Sequence, residues 1–248
     1  MTLAELAIHI PASIELFEKY NFNYYQNGSQ KFKDACEAKG LIFSEIDAEL
    51  NQLQKLSKTN TMLTLEDMSV DRLIDFINGQ HHSNEADVLD FIEESIKKLI
   101  ANPNCEKPLV SILQKMDEKF TDLKDKLIKH CEKEDKILFP YMRKLYELRR
   151  DKVFTNTSQN NSFVKKPIQL LEAEHVQASI LLLDIKEITQ NFSNQANAPK
   201  EYQKLMEHLK EFEIEFHVHL HIENNILFPK VIALEEQLNN SSNNNKQA

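Results

Sequence analysis

HCEKEDKILFP at residues 130–140 and HLHIENNILFP at residues 219–229 carry His, Glu, Ile, Leu, Phe and Pro at the same six of eleven positions. Agreement on that scale marks an internal repeat. In each copy the histidine precedes the glutamate by four, which on a helix places both side chains on one face, one turn apart. A single pair of this kind is most often a solvated surface feature. Two copies, each running into an apolar Ile-Leu-Phe-Pro, put the pair on the helix flank that enters a core.

Outward from the repeat, the chain reads as helix throughout. Glycine numbers 3 and proline 7 in 248 residues, against about 17 and 12 at average usage, while good helix formers abound. Four long helical segments are predicted, roughly 66–100, 106–150, 165–192 and 198–238. Their apolar residues recur at three- and four-residue steps, as in Leu109, Ile112, Leu113, Met116, Phe120, Leu123 and Leu127. Such helices reach about 40–60 Å, the scale of an all-α, up-down-up-down four-helix bundle. The breaks between them, ANPNCEKP at 101–108, TNTSQNNS at 155–162 and NQANAP at 194–199, are rich in Asn, Ser and Pro.

Three domains are expected: a small helical N-terminal domain over 1–57, the bundle over 66–238, and a disordered, low-complexity tail over 239–248. In the first, Pro11 opens one helix and Ser44 caps another with Asp47 three positions on. NFNYYQNGS at 21–29 is turn-like, and SKTNT at 57–61 reads as a tether.

The net charge of −9 opposes a phosphate backbone, so nucleic acid is not an expected partner. No apolar run approaches the roughly 20 residues that span a bilayer, and the N-terminus lacks a signal-peptide pattern. A cytoplasmic location is the expectation. Cys36, Cys105 and Cys131 are dispersed and odd in number, which fits neither a disulfide framework nor a thiolate metal site. Any metal here is held by nitrogen and oxygen.

Each repeat is preceded, one helix earlier, by a further histidine: His81 or His82 before His130, and His175 before His219. The bundle thus reads as two hairpins, each offering a His from its first helix and a His plus a Glu from its second. Four imidazoles and two carboxylates converging in a core are costly unless paired or metal-bound. Without thiolate the set favours iron or manganese over structural zinc. Two metal ions sharing two carboxylates, each with two histidines, would use all six residues. Adjacent helical residues point about 100° apart, so His81 and His82 compete for one role. His217 and His221, two positions either side of His219, point away from its face toward solvent or an outer role. Glu172 and Glu174 beside His175 read as a charged flank that could orient a ligand. Cys131 reads as core packing.

The pattern resembles the hemerythrin-like domain, and the whole chain is similar to the repair-of-iron-centres family, di-iron proteins that restore damaged iron–sulfur clusters. The motifs that carry this are LIDFINGQHH, HCEKE, LEAEH, HLHIE and the Leu-Phe-Pro after each His-Glu pair. The resemblance selects His82 over His81 and implies His82, His130, Glu134, His175, His219 and Glu223 as ligands of two iron ions with an oxo bridge. It implies damaged iron–sulfur proteins as partners and nitric oxide or oxygen as small ligands. A homodimer and a weak nitric-oxide or peroxide reductase activity are open under it, and an oxygen- or nitric-oxide-binding or sensing protein is the alternative function. One stretch departs from the family: where it carries Tyr-Cys-Cys-x-Gly, this chain reads Tyr24-Tyr25-Gln26-Asn27-Gly28, with no thiol. Tyr24 and Tyr25 could instead form a path between the domains.

Overall fold

A computed structural model describes residues 1–56, 65–151, 163–193 and 198–244, with the side chains of 56 and 240–244 excepted. The tether at 57–61, the break at 155–162 and most of that at 194–199 lie outside the described residues. Every regular element among the described residues is helical, so the all-α bundle read from the sequence is borne out.

Four rods make the bundle, and three of them contain a π-turn. The first joins α5 (Val70–Ile77), the π-turn Asn78–His82 and α6 (Ser83–Ala101). The second joins α7 (Lys107–Lys133), the π-turn Glu134–Leu138 and α8 (Phe139–Arg150). The third is the uninterrupted α9 (Lys165–Ile188), and the fourth joins α10 (Lys200–Ile222), the π-turn Glu223–Leu227 and α11 (Phe228–Asn244). α7 packs on α6 and α9, α10 packs on α6, and α8 packs on α5 and α11.

The prolines explain two of the three π-turns. Pro140 and Pro229 each stand two residues past the end of a π-turn, in the first turn of α8 and α11. A proline inside a helix donates no N–H and clashes with the carbonyl four residues back. Widening the turn by one residue relieves that clash without ending the rod. Accordingly Phe139 donates its N–H to the Glu134 carbonyl, and Phe228 to that of Glu223, five residues back. The sequence reading treated each rod as one unbroken helix and missed this.

The apolar residues divide into two clusters along the bundle. One gathers Leu89, Ile92, Leu113, Met116, Phe120, Leu182, Leu209 and Phe216; the other gathers Leu73, Ile77, Leu138, Phe139, Ile168, Leu227 and Phe228. Between the two lie the histidines and glutamates of the repeat.

Four short helices precede the bundle: α1 (Leu3–His9), α2 (Ser13–Lys19), α3 (Phe32–Ala38) and α4 (Phe43–Leu56). They share a third cluster built on Leu3, Phe17, Phe22, Tyr24, Phe32 and Cys36. α2 begins two residues after Pro11. The Ser44 cap is a correction, because α4 already starts at Phe43 and Ser44 lies inside its first turn. The capping box forms instead at α1, where Thr2 and Glu5 bond each other's backbone N–H. No helix among the described residues is long and apolar enough to cross a membrane.

Phe120 is fully buried in the cluster remote from the repeat. Phe120→Ala should therefore cost about 3–5 kcal/mol of stability, read as a lower urea midpoint with an unchanged m-value.

Candidate metal centre

The rods bring all six predicted residues to one level of the bundle, in two groups. His82, Glu134, His219 and Glu223 offer ligand atoms that all lie within 4.8 Å of one another, and so do His130, Glu134, His175 and Glu223. Glu134 and Glu223 belong to both groups. Glu134 opens one π-turn, Glu223 opens another and His82 closes the third, so the widened turns present three of the six side chains.

The imidazoles face the site through Nε2. The Nε2 atoms of His82 and His219 are 3.2 Å apart, and those of His130 and His175 are 2.9 Å apart. The glutamate oxygens stand close by: Glu134 Oε2 is 3.4 Å from both His82 Nε2 and His130 Nε2. Glu223 lies 3.1 Å from His219 Nε2 through Oε1 and 3.2 Å from His175 Nε2 through Oε2. None of these carboxylate oxygens has a hydrogen-bond partner, although both glutamates are fully buried. Two buried carboxylates lacking hydrogen bonds and ringed by convergent nitrogen lone pairs cost several kcal/mol on their own. Cations on the shared oxygens remove that cost, so the donor set fits two metal ions.

The outward nitrogens are anchored. His82 Nδ1 is 2.8 Å from Asp135 Oδ1, His130 Nδ1 is 3.1 Å from Glu174 Oε2, and His175 Nδ1 is 3.0 Å from Asn224 Oδ1. Such partners fix the ring orientation and leave Nε2 free for a metal. Glu174 therefore does orient His130, while also pairing with Lys133. Asp135 and Asn224 were not singled out from sequence, yet a signal was there. Each directly follows the glutamate of its repeat and anchors the first-helix histidine of its own hairpin.

Charge in the metal-free cluster distributes as burial and proximity require. Burial, with Glu223 alongside, pushes Glu134 up to about 8. Burial opposes ionisation of Glu223 too, but His219 and His175 hold that carboxyl well below the usual range. Burial and the neighbouring His175 lower His130 to about 4. Burial alone would lower His82, but Glu134, Glu223 and Asp135 outweigh it and lift the imidazole to about 9.

The remaining expectations divide. His81 stacks on the His219 ring at 5.0 Å and stays outside both groups of donors. It lines a cavity of about 770 Å³ with His219, Glu85, Phe91, Phe212 and Phe216, which runs between α6 and α10 up to the site. The Cys131 thiol donates to Glu85 Oε2 at 3.0 Å, and burial and that carboxylate push it up. His217 and His221 do not face solvent: both are buried, His217 stacked on Tyr25 at 3.9 Å and bonded to Glu18, His221 beside Tyr24 and bonded to Asn225. Cys36 is buried in α3, in the N-terminal cluster.

A helical bundle whose core gathers four imidazoles around two shared carboxylates defines a protein able to hold metal cations at that level. Residues 166–242, which include His175, His219 and Glu223, match the Hemerythrin HHE cation binding domain. The chain is similar along nearly its whole length to iron–sulfur cluster repair proteins, as the sequence reading held. It is 27% identical over 234 residues to the probable iron–sulfur cluster repair protein of Haemophilus influenzae, covering 93% of this chain and 96% of that one. It is 29% identical over 236 residues to the iron–sulfur cluster repair proteins YtfE of Shigella boydii and of Escherichia coli, covering 94% of this chain and 97% of each relative.

Raised values at His82 and Glu134 mean that the metal-free cluster favours keeping a proton on these residues, whereas holding a cation there needs His82 neutral and Glu134 ionised. Metal uptake should thus release protons, and affinity should fall as pH falls. A pH-stat titration of metal-free protein with ferrous ion checks this: uptake without acidification contradicts it, and His82→Ala should release fewer protons than the parent.

Proposed function

We propose that this protein repairs iron–sulfur clusters damaged by nitrosative or oxidative stress, holding two iron ions on His82, His130, Glu134, His175, His219 and Glu223. One observation carries the reading: two groups of donors, each with two imidazoles, that have both carboxylates in common. Glu134 and Glu223 would be shared by two irons, one held also by His82 and His219 and the other by His130 and His175. When bound, iron supplies a redox-active, exchangeable cation with affinity for nitric oxide and oxygen. The full-length similarity to proteins named for iron–sulfur cluster repair supports the same function.

The chain's own residues set what such a centre does. Neutral imidazoles and two carboxylates hold iron less tightly than thiolates, which suits delivery of iron as cargo to a damaged cluster. Asp135, Glu174 and Asn224 keep the rings aimed inward, so the site survives loss of a metal and can be refilled. The apolar clusters on either side exclude water, and the cavity ending at His81 and His219 offers a small molecule a way in. The reducing cytoplasm is the compartment in which Cys36, Cys105 and Cys131 stay thiols.

A second reading, reversible binding of oxygen or nitric oxide, is favoured by one observation: Tyr25 and Gln26 stand where the resembled family has its cysteine pair. Incubating a nitric-oxide-damaged iron–sulfur enzyme with the reduced, iron-loaded protein separates the two. Repair requires recovered activity; no recovery, together with an absorption band that vanishes on degassing, selects the carrier. His130→Ala and His219→Ala should each lose most of the iron bound by the parent, and parent-like loading of both would overturn either reading.

A further inference from the structure

The three anchored histidines are not anchored alike. Asp135 and Glu174 are carboxylates, which only accept, so each by itself compels the imidazole opposite to carry its proton on Nδ1. Asn224 is an amide with one end that accepts and one that donates, and turned over it would compel the opposite tautomer at His175. Something else must decide which end faces the ring. Asn224 Nδ2 lies 3.0 Å from the backbone carbonyl of Tyr25. A carbonyl cannot donate, so Nδ2 must face it; Oδ1 therefore faces His175 at 3.0 Å. His175 must then donate from Nδ1, which leaves Nε2, facing Glu223 and His130, as the nitrogen that could take a metal.

From this we propose that the N-terminal segment is a positioning element of the metal centre: through Asn224, its docked Tyr25 carbonyl sets the tautomer and orientation of His175. The proposal rests on reading the six-residue cluster as the metal site, and it assigns Asn224 as the positioning residue that carries the coupling.

The surrounding contacts hold the carbonyl in place. Asn225, the next residue of the same π-turn, donates from Nδ2 to the Tyr24 carbonyl at 3.1 Å. Gly28 gives Asn225 room, since a Cβ there would meet Asn225 Oδ1 at 2.3 Å and Ala4 Cβ at 2.8 Å. Gln26 Nε2 donates to Ser179 Oγ on α9 at 2.8 Å, Tyr25 stacks on His217, and Glu18 accepts from both Tyr24 and His217. Two successive peptide carbonyls of the segment are thus read by two successive asparagines of the π-turn that begins with Glu223. The repeat shows the device by contrast: at the matching place in the first hairpin stands Asp135, which needs no second partner, beside Lys136, whose side chain pairs with Glu132 on its own rod.

Three single substitutions and one double variant test this, with histidine ring ¹⁵N shifts of the metal-free protein and iron affinity by competition with a chelator as readouts. Parent protein should show His175 protonated on Nδ1 and should bind two irons; a parent that binds none refutes the metal site itself, independently of the coupling. Asn224→Ala and Gly28→Ala leave every ligand in place, yet each should mix the His175 tautomers, lower iron affinity at least about 10-fold and alter the optical spectrum. Asn224→Asp keeps an acceptor for His175 and gives up the Tyr25 carbonyl, so it should restore the Nδ1 tautomer and most of the affinity. Adding Gly28→Ala to Asn224→Asp should then weaken iron no further, a non-additivity that mere loss of packing does not produce. If Asn224→Ala and Gly28→Ala keep the parent's tautomer, affinity and spectrum, or if the two losses add in the Asn224→Asp background, the coupling is wrong.

Discussion

Two glutamates buried to zero exposure without a hydrogen bond are the constraint on which the rest depends. Glu134 and Glu223 sit where an apolar core would otherwise be continuous, and an unpaired buried carboxylate costs more than most single interactions return. Four imidazoles placed around them make that tolerable, and cations make it favourable. The two apolar clusters then serve the centre from either side, by keeping water out and by holding four rods in a register that lets six side chains meet. The two carboxyls differ in the metal-free chain: burial, with Glu223 alongside, raises Glu134, whereas His219 and His175 hold Glu223 low against the same burial.

The π-turns are the backbone's part in this. A regular helix offers each side chain a direction fixed by its neighbours, every 100° or so. Widening the ladder at Asn78–His82, Glu134–Leu138 and Glu223–Leu227 changes that direction at the ligands and for the residue that follows each glutamate. Proline drives the change in the second and fourth rods. The first has Gly79 and no proline within its turn, so there the widened turn is not explained by the same clash.

Much of this was legible in the sequence, because the centre is built twice. The repeat supplied two His-Glu pairs at helical spacing, and hairpin symmetry supplied His175 and the pair His81–His82, between which the family resemblance and not the pattern chose His82. What was not legible depends on contacts between distant parts of the chain. His217 and His221 point away from His219 as helical geometry requires, but only the docked N-terminal helices turn that direction from a solvated face into a buried one. Ser44 resembled a cap because Asp47 follows at the right spacing, yet the helix starts a residue earlier, and boundaries on that scale are set by packing. The Ile-Leu-Phe-Pro run announced a core flank and concealed a π-turn, since apolar periodicity does not register one extra residue in a turn.

Where the two halves differ is as informative as where they agree. In both hairpins the residue after the glutamate anchors the first-helix histidine, and in the second hairpin Glu174, just before His175, anchors His130. Its counterpart just before His82 is His81, which stacks on His219 where a carboxylate might have accepted a hydrogen bond. His81 lines the cavity between α6 and α10, to which the first hairpin is open. The second hairpin is closed by the N-terminal helices, with an asparagine where the first has an aspartate. The cavity therefore reaches the cluster on the side of His81 and His219, while the side of His175 is held by the chain's own N-terminal segment. The two hairpins thus differ at two positions, His81 against Glu174 before the first-helix histidine and Asp135 against Asn224 after the glutamate, and the cluster is one-sided at both.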